Sequence, residues 1–307
     1  MKTLVAGGAG FIGSHLVDRL LAEGHDVDVV DDLSTGSLAN LSEARAGRTG
    51  RLKIHQLDVR DPSVGDLMEQ RRPNVVYGLV APVGDDPVER AERVVLGGVR
   101  LLDGALRCEA DKVVFSGGWE LYGDRSGSGL PVRESDADAV DTNAAATQAL
   151  LAYLRGYREA HGVEFTMLAV ATAYGPRQRR GLVAESVRRS WAGMDCVVTG
   201  DGVQSRDMVF VDDVVDAFVR AADRGSGLVV NVATGIETPV IDVATAVAAA
   251  VRAAGGPDVG VAVGASQPTV GPRRVALDSG RARIQLGWSP WTDLADGISQ
   301  SVEAAAP

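Results

Sequence analysis

Three glycines at fixed spacing open this chain, and the chemistry open to them is to let a backbone approach phosphate. They lie in the run Thr3-Leu4-Val5-Ala6-Gly7-Gly8-Ala9-Gly10-Phe11-Ile12-Gly13. Gly7 permits a tight turn, Gly10 brings backbone close to a pyrophosphate, and Gly13 lets a helix pack tightly on the preceding strand. A helix beginning near Phe11 aims its free N–H groups at the phosphates. Gly7, Gly10, Phe11, Ile12 and Gly13 are therefore the expected phosphate-end contacts of a dinucleotide. Asp31 closes the next apolar run, where a carboxylate accepts from ribose hydroxyls and repels a 2′-phosphate, so NAD is favoured over NADP. A Gly-rich turn without a ligand is the plainer alternative.

The elements that must position these residues alternate. Residues 4–6 form a short apolar strand. Residues 11–22 carry helical spacing with Ile12, Leu16, Leu20 and Leu21 on one side, and Gly24 ends that helix. Further strands are predicted at 27–30, 52–57, 75–80, 112–116 and 165–171, with helices at 63–70, 87–108 and 141–160, the last capped by Asp141 or Thr142. Strands separated by helices predict parallel pairing and right-handed crossovers, hence a doubly wound α/β sheet. After Tyr174-Gly175-Pro176 the elements shorten. Residues 1–170 are expected to form the nucleotide-binding domain, with strands returning near 205–232. Residues 171–307 are expected to form mostly a smaller C-terminal α/β lobe for the substrate, including a helix at 241–254 and the tail around Leu286-Gly287-Trp288.

Composition narrows the function further. The chain has 307 residues, 45% of them hydrophobic, and a net charge of −10. One short basic run, Arg177-Gln178-Arg179-Arg180, cannot supply the broad positive surface that nucleic acid needs. It reads as a solvated loop or as an anion contact. Cys108 and Cys196 suit neither a disulfide framework nor a metal site, and no metal is expected. The first strand begins almost at Met1, leaving no room for a signal peptide, and no apolar run approaches ~20 residues. A cytoplasmic protein is expected.

Taken together, Gly7 to Leu16, Asp31-Asp32-Leu33-Ser34-Thr35-Gly36, Leu57-Asp58-Val59-Arg60-Asp61, Tyr122-Gly123-Asp124, Tyr174-Gly175-Pro176-Arg177, residues 200–207, Val211-Asp212-Asp213-Val214 and Leu286-Gly287-Trp288-Ser289-Pro290 resemble the extended short-chain dehydrogenase/reductases, the NAD-dependent sugar-nucleotide epimerases and dehydratases. The resemblance spans essentially the whole chain. It implies a Rossmann-type sheet, and NAD contacts at Asp32, Asp58 (to the adenine), Val59, Leu79 and Ala81. It also implies a nucleotide-sugar substrate, for which Arg206 keeps a family contact position and Trp119 and Arg177 are further candidate contacts, and a homodimer paired through the helices at 87–108 and 141–160.

The family pattern fails where its chemistry is done. Its members carry a Ser or Thr after the fifth strand and a Tyr-x-x-x-Lys on the following helix. Here those positions hold Gly118, Asn143 and Thr147, none of which titrates near neutrality. The only lysines are Lys2, Lys53 and Lys112, and none has a tyrosine four residues before it. Gly78 replaces a common His, Thr172 a common Asn, and Pro268 a common Arg. Arg206 keeps a diphosphate-contact position, although an ion pair with Asp207 or Asp212 explains it equally. Without the lysine, the nicotinamide end of the cofactor should be held less firmly than the adenosine end.

One carboxylate stands in the gap. Glu120, in Trp119-Glu120-Leu121-Tyr122-Gly123, matches the Glu of relatives whose motif ends Glu-Val-Tyr-Gly. Beside Trp119 it would be desolvated, which raises a carboxyl pKa toward a useful range; otherwise it is an ordinary loop acid. Trp119 could stack on a planar ligand or simply fill the cleft. Tyr174 is the best surviving phenol, expected at a strand end facing the cleft. Three readings follow: a lyase or isomerase using Glu120, with Tyr174 as a second group, on a sugar nucleotide or a secondary-metabolite intermediate; a catalytically inactive NAD-binding protein with a structural or regulatory role; and an ordinary epimerase or dehydratase with displaced catalytic groups. Retention of the fingerprint, Asp31 and Asp58 favours the first.

Overall fold

The computed structural model describes residues 1–47, 50–80, 86–123, 129–137, 142–264 and 272–307. Seven strands form one parallel sheet in the spatial order Leu228–Val232, Phe165–Val170, Lys112–Gly118, Val75–Gly78, Lys2–Ala6, Asp26–Val30 and Leu52–His55. Every neighbouring pair runs parallel. The chain moves outward from Lys2–Ala6 in one direction, then returns to its other side at Val75–Gly78. This reversal opens a crevice at the carboxyl ends of those two strands, the place where such sheets bind ligands. It is the Rossmann-type doubly wound arrangement.

The strands read as continuous apolar runs because helices cover both faces. Leu4, Val5, Val29, Val76, Val113, Val114, Met167 and Leu168 have no exposed surface. The first helix, Phe11–Ala22, buries Leu16, Val17, Leu20 and Leu21. The predicted helix at 87–108 is one helical run with an interruption. Pro87–Ala91 and Gly97–Arg107 are α-helical, and Glu92–Leu96 between them is a π turn. The helix at 142–161 has Thr142 in its first turn, while Asp141 lies outside the described residues.

Beyond residue 171 the strands are short. Thr172–Tyr174 pairs parallel with Met208–Phe210, and Cys196–Thr199 pairs parallel with Val261–Gly264. A second small core of Cys196, Val198, Val240, Ala244 and Ala248 sits between that last pair and the helix Val240–Ala253. The segment around Leu286-Gly287-Trp288, expected in the smaller lobe, joins the main core instead. Leu286 and Trp288 are buried there, and Arg281 donates to the Val229 carbonyl on the last strand of the sheet at 2.9 Å. Cys108 and Cys196 are both free and buried.

Asp207 fastens these parts together. Its fully buried carboxylate accepts from Thr234 N–H, Thr234 Oγ1, Gly235 N–H and Leu277 N–H, at 2.6–3.1 Å. Asp207→Ala strands four donors, each costing about 1–3 kcal/mol when buried and unpaired. Denaturant unfolding should show a loss of at least about 3 kcal/mol; a smaller loss would mean that water replaces the carboxylate. Lys112 is a buried cation, donating to the Arg224 carbonyl. Burial lowers its pKa from 10.5 to about 8. The unfolded chain therefore binds more protons between those values, so this group makes stability rise with pH across that window. The stability difference between wild type and Lys112→Met should shift toward wild type from pH 8 to pH 10 in denaturant titrations, and a constant difference would refute it.

Candidate functional site

The crevice holds a cleft of about 640 Å³, within the range of small-molecule sites. Its floor is the glycine loop. Gly7 has φ of +80°, donates to the Val30 carbonyl at 2.8 Å, and passes so near the next strand that a Cβ would lie 2.4 Å from the Leu79 carbonyl oxygen. A Cβ on Gly13 would stand 2.1 Å from the Gly7 carbonyl oxygen. These approaches leave the start of the helix Phe11–Ala22 open to the cleft, which Gly7, Gly10, Phe11, Ile12 and Gly13 all line.

Asp31 and Asp32 line the cleft beside this floor. Asp31 accepts from Ala9 N–H at 2.9 Å and Leu33 N–H at 2.8 Å, one on each oxygen. Burial pushes its carboxyl pKa up, against those two hydrogen bonds. A carboxylate has about four acceptor sites, so two remain open to a ligand. Asp32 accepts from Ser34 and pairs with Arg93 at 2.9 Å. Arg93 sits in the π turn, a feature common at functional sites. Nothing local in the sequence marks it.

Leu57, Val59 and Leu79 line the cleft, but Asp58 does not; Arg60 holds both its oxygens at 2.6–3.0 Å and keeps its pKa low. Ala81 lies outside the described residues, as do Asp124 and Pro268.

The opposite end of the cleft is lined by Ser116, Gly117, Gly118, Trp119, Glu120 and Thr147. Lys112–Gly118 runs directly into a turn of 3-10 helix, Trp119–Tyr122, which folds Glu120 back toward the strand. Gly118 has extended backbone that any residue adopts, yet a Cβ there would lie 1.9 Å from Glu120 Oε2. The Glu120 carboxylate thus occupies the volume that a side chain at 118 would need. Gly78 is filled in the same manner, by the Phe115 ring 2.4 Å from its would-be Cβ. Thr147 puts a methyl, Cγ2, 3.4 Å from the would-be Cβ of Gly117. Asn143 lies in the first turn of the same helix.

Three sequence-based candidates fall elsewhere. Tyr174 is 1% exposed and does not line the cleft. Its ring meets Phe210 edge-to-face, its hydroxyl donates toward the Leu294 carbonyl, and burial raises its pKa. The strand end that carries it is covered by the C-terminal helix Leu294–Glu303. Arg177 is drawn away from the cleft into ion pairs with Asp18 at 2.6 Å and Glu43 at 3.3 Å. Arg206 donates to the Ser205 and Pro272 carbonyls, and neither Asp207 nor Asp212 is its partner. In place of Arg177, its neighbours Gln178, Arg179 and Arg180 line the cleft. None of the four histidines does, and the described residues hold no cluster suited to a metal. No described helix is long and apolar enough to cross a membrane.

A crevice at the sheet's reversal point, floored by a glycine turn and edged by an acid after the second strand, defines a dinucleotide-binding α/β protein. The family model for the NAD dependent epimerase/dehydratase family matches residues 3–233. The chain belongs to that family, and its cofactor is NAD. It is 40% identical to a UDP-glucose 4-epimerase of Mycolicibacterium smegmatis, over 99% of this chain and 98% of the relative. Among solved structures, a UDP-glucose 4-epimerase from Thermotoga maritima with UDP-glucose is 29% identical with a TM-score of 0.88, covering 99% of this chain and 98% of that one. A UDP-glucose 4-epimerase from Thermus thermophilus in complex with NAD is 30% identical with a TM-score of 0.85 over the same shares.

Since Gly7 combines a positive φ with a backbone contact that cannot yield, Gly7→Ala should weaken NAD binding at least about tenfold while the rest of the sheet folds. Calorimetric titration with NAD checks this; wild-type affinity in the variant would mean that the turn adapts.

Proposed function

We propose that this protein is a NAD-dependent epimerase of a nucleotide sugar in which Glu120 takes the proton-transfer role that the family gives to tyrosine. The carrying observation is the position of the Glu120 carboxylate, folded over Gly118 inside the cofactor cleft. The 40% identity with a UDP-glucose 4-epimerase over almost the full length of both chains supports the substrate class. NAD, when bound, supplies the acceptor for hydride from the sugar carbon. Glu120 accepts the proton of the hydroxyl on that carbon and later returns it. A carboxylate is a weaker base than a tyrosinate, but it is ionised at neutral pH without help from a lysine. That fits a site whose lysine position is Thr147. Trp119 walls the same end of the cleft and favours a planar or ring-shaped ligand against its face.

The replacement of the hydroxyl, Tyr and Lys positions by Gly118, Asn143 and Thr147 favours one other reading, a protein that binds NAD without turning it over.

The test is conversion of UDP-glucose to UDP-galactose by the wild type, Glu120→Gln and Gly118→Ala. General acid–base groups contribute about 10²–10⁴-fold, so Glu120→Gln should lose at least about a hundredfold in kcat with NAD binding kept. In Gly118→Ala the flexible Glu120 chain is displaced rather than the backbone, so melting temperature should hold while activity falls comparably. Full activity in Glu120→Gln removes Glu120 from the chemistry. Wild type that binds NAD and UDP-glucose without converting it leaves the non-catalytic reading.

A further inference from the structure

The segment 175–181 is stapled to the body of the protein at three points. His15 Nε2 lies 3.0 Å from the Pro176 carbonyl oxygen. Arg177 forms its ion pairs with Asp18 on the first helix and with Glu43. Gln178 Nε2 donates to the Ala173 carbonyl at 3.0 Å. The next two residues, Arg179 and Arg180, are exposed and both line the cleft. Neither makes an ion pair or a side-chain hydrogen bond among the described residues.

Other charged groups at the cleft are occupied. Arg93 is paired with Asp32 and Glu89. Asp31 accepts two backbone N–H groups. In a chain of net charge −10, a loop fixed at three points thus delivers two adjacent guanidinium groups to a ligand cleft, and among the described residues no carboxylate pairs with either. A solvated basic loop needs no such staples. The cofactor's pyrophosphate is served by the glycine turn and helix start at residues 7–13, so these arginines are spare to it.

We propose that Arg179 and Arg180 form a receptor for anionic oxygens on the substrate, gripping either a sugar carboxylate or the diphosphate of a nucleotide sugar. Planar guanidinium groups bind both in bidentate fashion. The proposal rests on the nucleotide-sugar reading above. It assigns the recognition that Arg177 and Arg206, both engaged elsewhere, do not provide.

Calorimetric titration of the NAD-loaded wild type and of the double variant Arg179→Ala/Arg180→Ala, each with UDP-glucose and with UDP-glucuronate, tests it. The double variant should bind at least about tenfold more weakly. Weakening confined to UDP-glucuronate assigns the sugar carboxylate; equal weakening of both ligands assigns the diphosphate. Unchanged affinity for both overturns the receptor and leaves the nucleotide-sugar reading standing. Failure of the wild type to bind either ligand overturns that reading and the receptor with it. Retained NAD binding reports that the double variant is folded, and the Arg179→Gln and Arg180→Gln single variants carry the same comparison if it is not.

Discussion

The close backbone approach at which position 13 nearly touches the Gly7 carbonyl determines where everything else at the site can be. It lets the helix Phe11–Ala22 start directly off the end of the central strand, with its first N–H groups at the crevice. The same turn brings Ala9 N–H to the Asp31 carboxylate, which fixes that acid at the end of the neighbouring strand. On the other side, Gly7 passes against the Leu79 carbonyl, just beyond Val75–Gly78. Three strand ends are thereby locked at the point where the sheet order reverses. A side chain at 7 or 13 would meet backbone atoms of Leu79 or Gly7 and push them apart.

Two neighbouring carboxylates show how that cradle divides its work. Asp31 faces inward, satisfied by backbone donors that leave lone pairs for a ligand. Asp32 is bound to Ser34 and to Arg93, so it anchors the helical segment opposite. That segment contains a π turn, and Arg93 and Val94 within it line the cleft. One acid thus keeps acceptor sites open to the cleft, and the other holds the helical wall beside it.

The fold was legible because each signal was local. Glycine spacing, buried apolar runs of strand length and helical periodicity all act within a dozen residues, and together they specify the parallel sheet and the glycine floor of the cleft. What was not legible depends on partners far away in the chain. Arg177 meets Asp18 and Tyr174 meets Leu294 only after folding, and both leave the cleft for that reason. Asp58 was claimed by Arg60, two residues on, a pairing that a motif reading passes over. The tail at 286–288 joins the main core because Arg281 and Trp288 find carbonyl partners on the sheet and on the helix beside it. Arg179 and Arg180 were visible as part of a basic run, but which members of the run face the cleft is decided by the staples around them.

The end of the cleft at Gly78 and Gly118 is filled rather than hollow. Removing a side chain from a packed interior leaves a cavity that costs stability in proportion to its volume. At 78 the missing volume is taken by the Phe115 ring, and at 118 by a carboxylate. Filling by an aromatic ring is explained by packing alone. Filling by a charged group needs polar compensation as well, because a half-buried carboxylate loses water. That carboxylate stands in the cleft beside Trp119, and this placement is what the proposed role of Glu120 rests on.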